Sequence, residues 1–231
     1  MNTKSIWSDH VPARDGLKST INDLAISPDG SRLVVAVGNR VLLYNFHTGD
    51  LIESLRAHKE IVTCVDFSFD GTRFASGGSD NLVIIWKSSG QGLLKYTHAV
   101  GIQRVSYSPT NLHLLSCSEN DFGMWSPEQK QVSKESISSK ILSAAWAPNG
   151  SLVALGLENG CISIRKPSGE EVQKIERKAP IFCIKFLPPS TLQRNAENTS
   201  TSSLDIELVV GCWDKTLSTY RFYLLLNIVM I

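Results

Sequence analysis

Three side chains of the types that form hydrolase triads occur within one short stretch of the sequence: His58, Ser76 and Asp80. A serine nucleophile requires an exposed, strained backbone position and an oxyanion hole beside it. Ser76 lies instead inside a run of small and apolar residues, Phe74 to Gly77, and no Gly-x-Ser-x-Gly motif surrounds it. The sequence therefore predicts that these residues are structural and that the protein is not an enzyme.

The cysteines are the other residues that could bind a metal or form covalent links. They are Cys64, Cys117, Cys161, Cys183 and Cys212. Their number is odd, no two form a Cys-x-x-Cys pair, and each lies within an apolar strand-like run. We expect reduced, buried cysteines that act as small hydrophobic residues, with no disulfide framework, metal site or cofactor. This usage favours a cytosolic setting.

Composition excludes several classes of partner. The 231 residues carry a net charge of +1, and no basic stripe indicates nucleic-acid binding. The N-terminus lacks an apolar core of signal-peptide length. The apolar run at residues 222–231 is about half the roughly 20 residues that a membrane-spanning helix needs, so we expect no integral membrane span. No convergent polar site indicates a small-molecule substrate.

A repeat of about 40 residues positions all these side chains. Similar six-residue strand signals, each followed by a turn signal that contains Pro, Asn or Asp, start at Ile21, Val62, Ile102, Ile141 and Ile181. These starts are 41, 40, 39 and 40 residues apart. Such a fixed period is typical of solenoids and propellers.

Three further strand signals follow most of these starts. The second is small and apolar, the third ends in an aromatic or large residue, and the fourth is weaker. Four strands in each unit of about 40 residues predict an all-β fold, a β-propeller of about five repeats. Five repeats of a larger ring would leave two unpaired edges, so we expect an incomplete part of such a ring.

The repeats also define the domain boundaries. We expect an N-terminal segment at residues 1–20, whose Ile6 and Trp7 could form an outer strand of a closing blade or simply fray. The propeller repeats span residues 21–222, with a polar loop at about 188–206 inside the fifth. The apolar tail at 223–231 does not look like a further repeat, and we expect it to be a non-native end of the chain. The alternative is that it forms the outer strand of the fifth blade and that five blades close by themselves.

The second repeat resembles those of WD-repeat proteins. His58 occupies the position of the histidine in that family's Gly-His dipeptide, and Trp86 that of the tryptophan in its Trp-Asp dipeptide. Ala57 and Lys87 replace the other two residues. The resemblance implies that His58, Ser76, Asp80 and Trp86 form a structural hydrogen-bond relay.

The resemblance is weaker in the other repeats. It implies a partial relay in the third repeat, formed by His98, Ser116 and Trp125. The first, fourth and fifth repeats lack the histidine-to-tryptophan pairing, so we expect that apolar packing holds those blades together.

A closer resemblance covers roughly residues 20 to 222. It rests on Arg73 to Gly77, Val83 to Trp86, Leu94 to His98, Asp121 to Lys130 and Ile162 to Arg165. These strings are similar to the WD-repeat subunits of intraflagellar transport complex A. The resemblance implies a non-catalytic scaffold for retrograde intraciliary transport, cilium assembly and protein entry into cilia. The implied partners are the other complex A subunits and ciliary cargo proteins, in the cytoplasm and at the cilium base and axoneme.

An alternative is the substrate-recognition module of a ubiquitin ligase, a role that many WD-repeat proteins have. It predicts a basic cluster for acidic or phosphorylated degrons, and the sequence shows none. No exposed aromatic cluster stands out either, so the docking loops stay unassigned at this stage.

Overall fold

The computed structural model describes residues 5–9, 20–128, 132–188 and 206–222. These residues form 19 β-strands and no helix, which confirms the predicted all-β repeat. The chain divides into two compact units, Met1–Ser138 and Ser139–Ile231. Each unit is built from antiparallel sheets whose strands follow one another in chain order, and we call each sheet a blade.

The first unit contains three four-stranded blades. The first blade comprises β1 Ile21–Ile26, β2 Arg32–Val37, β3 Arg40–Asn45 and β4 Leu51–Leu55. The second comprises β5 Val62–Phe67, β6 Arg73–Gly78, β7 Leu82–Lys87 and β8 Gly92–Thr97. The third comprises β9 Ile102–Tyr107, β10 Leu114–Ser118, β11 Asp121–Trp125 and β12 Ser133–Ser136.

The second unit contains two blades. The fourth blade comprises β13 Ile141–Trp146, β14 Val153–Leu157, β15 Cys161–Arg165 and β16 Glu171–Glu176. The fifth has three described strands, β17 Ile181–Phe186, β18 Ile206–Cys212 and β19 Leu217–Phe222. Glu207 pairs with Arg221 across β18 and β19.

Within each unit, apolar cores lie between neighbouring blades. On β7, Val83 and Ile85 pack toward the third blade, whereas Ile84 and Trp86 pack toward the first. Successive side chains of a strand point to opposite faces, and a strand buried on both faces becomes continuously apolar. Phe74, which is fully buried, stacks on Trp86 with ring centroids 6.0 Å apart. Full burial of such a side chain contributes about 1.5–3 kcal/mol.

The first strand of every blade carries a β-bulge at the same place. The register shifts between Ile21 and Asp23 in β1, and at the equivalent residues of β5, β9, β13 and β17. A bulge inserts one residue and redirects the side chains beside it. The second residue of each first strand is therefore the bulged residue, which has no partner in the register of the second strand.

The turn between the first two strands repeats the same chemistry. In the second blade the amide of Gly71 donates to the carbonyl of Ser68 at 2.9 Å, and Gly71 has a φ of 68°. The carboxylate of Asp70 accepts from the amide of Thr72 at 3.0 Å. Glycine tolerates this left-handed backbone, and aspartate caps the turn, which is why Asp-Gly recurs there.

Several sequence-based expectations fall outside the described residues: the tail at 223–231 and nearly all of the polar loop, residues 189–205. Of the N-terminal segment, residues 5–9 are not in a strand. There the indole of Trp7 donates to the carbonyl of Phe46 at 2.8 Å and stacks on Tyr44 of the first blade. The closing-strand hypothesis stays a prediction.

The burial of the cysteines follows the expectation with one exception. All five are free, and four are buried. Burial raises the pKa of Cys64 and of Cys117 to about 12, so both are neutral thiols. Cys183 is exposed, and the prediction of burial was wrong there. The β-bulge after Ile181 interrupts the alternation of β17, so that Phe182 and Cys183 are both exposed between the buried Ile181 and Ile184.

Candidate functional site

The second blade brings together the four residues of the predicted relay. The indole of Trp86 donates to Ser76 Oγ at 2.9 Å. Ser76 Oγ lies 2.8 Å from His58 Nε2, and His58 Nδ1 lies 2.9 Å from Asp80 Oδ1. The chain of contacts connects β7, β6, the segment before β5 and the turn before β7. It therefore joins two strands and two loops through side chains alone.

Along the relay, each hydrogen-bond donor can be matched with an acceptor. Ser76 accepts from the Trp86 indole and keeps its hydroxyl hydrogen for His58 Nε2, and the tautomer that carries a hydrogen on Nδ1 then donates to Asp80. Asp80 also accepts from the amide of Lys59 at 2.8 Å. Burial raises the pKa of Asp80, but the hydrogen bonds from His58 and Lys59 outweigh it and lower that pKa below its ordinary value.

Gly78 makes room for the histidine–aspartate contact. A Cβ atom added to Gly78 would lie 2.6 Å from both His58 Nδ1 and Asp80 Oδ1. No real Cβ approaches polar atoms so closely, so any other residue would force the two side chains apart. The glycine in the Gly-Gly-Ser-Asp turn signal thus serves the relay itself.

The geometry shows what the relay can do chemically. Ser76 is fully buried and His58 is buried. The serine hydroxyl is engaged by both Trp86 and His58 and is not accessible to solvent. A network in which every buried polar group has a partner rigidifies a fold, and this is the role that the arrangement supports.

The third blade contains a related relay with two differences. His98 Nε2 lies 2.9 Å from Ser116 Oγ, and His98 Nδ1 lies 2.8 Å from Asp121 Oδ1. The donor to Ser116 is the hydroxyl of Tyr96, at 3.0 Å. Burial lowers the pKa of His98, which favours the neutral imidazole.

Trp125 does not take the place of Trp86. Among the described residues it has no hydrogen bond to Ser116, which differs from the partial relay inferred by resemblance. Its ring is buried in the core between the second and third blades, where the guanidinium of Arg73 lies 5.8 Å from the ring centroid. The third-blade relay thus comprises Tyr96, Ser116, His98 and Asp121.

Sequence reasoning missed Asp121 and Tyr96. Asp80 follows Ser76 by four residues, whereas Asp121 follows Ser116 by five, so a search at fixed spacing from the serine fails. The histidine-to-aspartate spacing, 22 and 23 residues, was the signal that could have found Asp121. No spacing rule indicates Tyr96, because it lies on the outer strand.

The other three blades carry aliphatic residues at the position of the relay serine. The strand register matches Ser76 with Val35, Leu155 and Val210, all buried. In the fifth blade, Arg177 occupies the histidine position, four residues before the first strand. Its guanidinium donates to the hydroxyl of Tyr220 at 3.2 Å.

Side chains of the first strands link neighbouring blades within the first unit. Asp23 accepts from the amide of Val65 at 2.9 Å, and Asp66 from the amide of Tyr107 at 2.7 Å. Burial raises the pKa of Asp66 to about 6, against these hydrogen bonds. Thr63, the second residue of β5, donates to the carbonyl of Ile102 at 2.6 Å.

The second unit exposes a cluster that the sequence did not reveal. Leu142, Glu158, Pro180, Phe182 and Trp213 line a pocket of about 160 Å³, which we call the aromatic patch. Phe182 is 50% exposed, Trp213 is 70% exposed, and their ring centroids lie 4.9 Å apart. The expectation that no exposed aromatic cluster exists was wrong, because the pair joins two residues 31 positions apart in sequence.

The described ranges hold neither a candidate metal centre nor a helix that could cross a membrane. No group of three or more His, Cys, Asp or Glu side chains there is arranged to hold a metal ion. Within the same ranges, no helix has the length and apolarity needed to cross a membrane.

Comparison with known proteins places these features in a family. The family described as IFT122 first beta-propeller matches residues 20–223. Relatives called Intraflagellar transport protein 122 homolog are 46% identical over 225 residues in Xenopus tropicalis and 50% identical over 181 residues in Homo sapiens. These alignments cover 96% and 77% of this chain. They cover 18% and 15% of the relatives, so the chain spans less than a fifth of their length.

Proposed function

Because the chain belongs to the family of the first β-propeller of IFT122, we propose that it is a non-catalytic protein-interaction scaffold of intraflagellar transport complex A. The observation that carries the proposal is the extent of the match. It begins at the residue before β1 and ends at the residue after β19, so every described strand falls within it.

The relay geometry supports the non-catalytic part of the proposal. In both relays the serine is fully buried and the histidine is buried, so the polar groups act within the blade and do not meet a substrate. A blade held in this way presents its connecting loops on a rigid support. Loops on such a support are where proteins of many folds place their binding residues.

The cellular part of the proposal is finer. We infer that the scaffold acts in retrograde intraciliary transport, in cilium assembly and in protein entry into cilia. Its partners are then other complex A subunits and ciliary cargo proteins, and its location is the cytoplasm and the cilium, including the base and axoneme. The name of these relatives, which refers to intraflagellar transport, supports this inference.

Affinity purification tests the proposal. The 231-residue chain, tagged at one end, is expressed in ciliated cells, and co-purifying proteins are identified by mass spectrometry. We expect complex A subunits to be enriched over a control purification of an unrelated tagged β-propeller. The control is needed because any exposed propeller loops could retain proteins nonspecifically.

Two other outcomes would contradict the proposal. Enrichment of cullin-type ligase components without complex A subunits would favour substrate recognition for ubiquitylation. Recovery of chaperones alone would show that the scaffold function is not carried by this chain.

A further inference from the structure

The aromatic patch is built from positions that repeat in every blade. Glu158 and Trp213 are register-equivalent residues, each three positions after the aliphatic residue that replaces the relay serine. The amide of Glu158 donates to the carbonyl of Lys140 at 2.9 Å, and that of Trp213 to the carbonyl of Pro180 at 3.0 Å. The backbone beneath both side chains is therefore fixed.

The bulge position supplies the apolar floor of the aromatic patch. The second residue of the first strand is Asn22 in the first blade and Thr63 in the second, and both bond to a carbonyl of the next blade. The equivalent residues of the fourth and fifth blades are Leu142 and Phe182. They cannot form that link, and both line the pocket instead. The second residue of the first strand therefore bonds to a neighbouring blade in the first and second blades, whereas in the fourth and fifth blades it lines an exposed pocket.

The chemistry of the patch favours a cation. Ring faces carry negative electrostatic potential and attract Lys, Arg or quaternary ammonium groups. Glu158 is exposed at the same pocket, and its carboxylate makes no hydrogen bond or ion pair within the described part of the chain. A carboxylate without a partner beside two ring faces is complementary to a positive charge.

The ring geometry favours arginine over other cations. The centroids of Phe182 and Trp213 are 4.9 Å apart, which leaves no room for a cation between the rings. A ligand must therefore lie against one open face. A planar guanidinium can stack on such a face while its edge donates two hydrogen bonds to a carboxylate, which an ammonium cannot do.

We propose that the aromatic patch binds the side chain of an arginine in an extended segment of a partner protein. This inference rests on the proposed scaffold function, since it assigns a partner chemistry to one surface of that scaffold. The guanidinium stacks on an exposed ring and pairs with Glu158. The arginine's methylene groups contact Leu142 and Pro180.

The test uses the 231-residue chain labelled with 5-fluorotryptophan, whose ¹⁹F spectrum reports each of the five tryptophans. The signal of Trp213 is assigned with Trp213→Phe. The probe is the peptide acetyl-Gly-Ser-Arg-Ser-Gly-amide, and the matched controls replace its arginine with lysine or norleucine. We expect the arginine peptide to shift the Trp213 signal saturably and to leave the Trp86 signal unchanged.

Two variants examine the contacts separately. Glu158→Gln is expected to weaken arginine binding about tenfold, the loss typical of a charge-assisted hydrogen bond. Trp213→Ala, followed through chemical shifts of the arginine peptide, is expected to abolish binding. Both side chains are exposed, so unchanged signals of the other tryptophans will show that the variants fold.

Three results would overturn the inference: equal binding of the norleucine peptide, unchanged affinity in Glu158→Gln, or no shift of Trp213 at any soluble peptide concentration. The first would indicate an apolar anchor. These results are independent of the purification experiment. Peptide binding without complex A recovery would contradict only the proposed function, and the converse would contradict only this inference.

Discussion

The second and fourth blades have the same strand register but different chemistry at its centre. Ser76 in the second blade corresponds to Leu155 in the fourth, and both are fully buried. One site carries a hydroxyl with two partners, and the other carries a fully buried aliphatic side chain that needs no hydrogen-bond partner. Both solutions leave no buried polar group unpaired at this position, which is the requirement that they share.

The comparison also separates two roles of Asp80. Its equivalent in the fourth blade is Asn159. The side-chain oxygen Oδ1 of Asn159 accepts from the backbone amide of Cys161 at 3.0 Å, just as Oδ1 of Asp80 accepts from the backbone amide of Leu82 at 3.3 Å. Asparagine therefore keeps the turn cap and loses the histidine partner. The turn does not depend on the relay, and the relay adds a connection from the turn to the strand before it.

The largest expected effect comes from placing a lone hydroxyl in the fourth blade. Leu155→Ser leaves a cavity and a buried polar group without a histidine partner, and we expect a loss of about 3–5 kcal/mol in the free energy of unfolding. Hydrogen–deuterium exchange read by mass spectrometry should show faster exchange in residues 139–188 and 206–222, with residues 20–128 unaffected.

Val172→Ser is the matched control for that variant. Val172 lies in β16 of the same blade and is half exposed, so its replacement should change exchange little. Equal protection in Leu155→Ser and the control would mean that the fourth blade can satisfy a serine, and the contrast between the two blades would fail.

The next effect tests whether the relay acts as a unit. His58→Ala leaves Asp80 and Ser76 without their shared partner, and we expect a loss of about 2–3 kcal/mol. Ile137→Ala is the matched change, because Ile137 lies four residues before β13 as His58 lies four residues before β5; its side chain is half-buried, so the loss should be smaller. Urea denaturation of each variant gives the free energies.

A double-mutant cycle then isolates the coupling. If His58 and Ser76 stabilise the blade through their contact, the combined His58→Ala and Ser76→Ala variant should lose at least about 1 kcal/mol less than the sum of the single losses. Strict additivity would show that the two side chains stabilise the blade independently, and the relay would be a set of separate contacts.

The fold was predictable from the sequence to a greater extent than the site. The strand starts follow from alternation and turn residues, because each repeat must bury the same faces against its neighbours. His58, Ser76, Asp80 and Trp86 could be located by spacing and resemblance. Tyr96 could not, since a tyrosine on an outer strand has no sequence feature that relates it to Ser116. The pairing of Phe182 with Trp213 depends on the bulge, which sequence patterns do not show.

A smaller effect is expected where the backbone must leave room for the relay. Gly78→Ala places a methyl group against His58 and Asp80, and we expect a loss of about 1–3 kcal/mol as their contact opens. Gly92→Ala is the control, because its Cβ would lie 3.8 Å from the Trp86 ring in ordinary contact. Equal stability of the two variants in urea would show that the histidine–aspartate contact contributes little.

The smallest effect concerns pH, where the second and third blades should respond in opposite directions. The pKa of Asp66 is raised from its ordinary 3.8 to about 6 by burial, so the folded chain holds this proton more tightly than the unfolded chain. The stability from this group is present below pH 4 and is lost as the pH rises through 6. Asp66→Asn keeps an acceptor for the Tyr107 amide without the charge. We expect it to match the unmodified chain at pH 4 and to exceed its stability at pH 7.5 by on the order of 1 kcal/mol, since Asp66 is only partly buried.

Asp121 in the third-blade relay provides the opposite sign. Burial raises its pKa, but hydrogen bonds from Ser118 and His98 outweigh this and lower it, so its stabilisation is present above pH 4 and is lost as the pH falls through the folded value. Asp121→Asn should therefore destabilise at pH 7.5, with the difference shrinking on acidification. Thermal unfolding midpoints from pH 3.5 to 8 measure both variants. Parallel pH dependences of the two variants would contradict the opposite pKa shifts of Asp66 and Asp121. They would mean that both carboxylates lie in equivalent environments, although Asp66 accepts from a backbone amide of the next blade and Asp121 contacts the relay histidine His98.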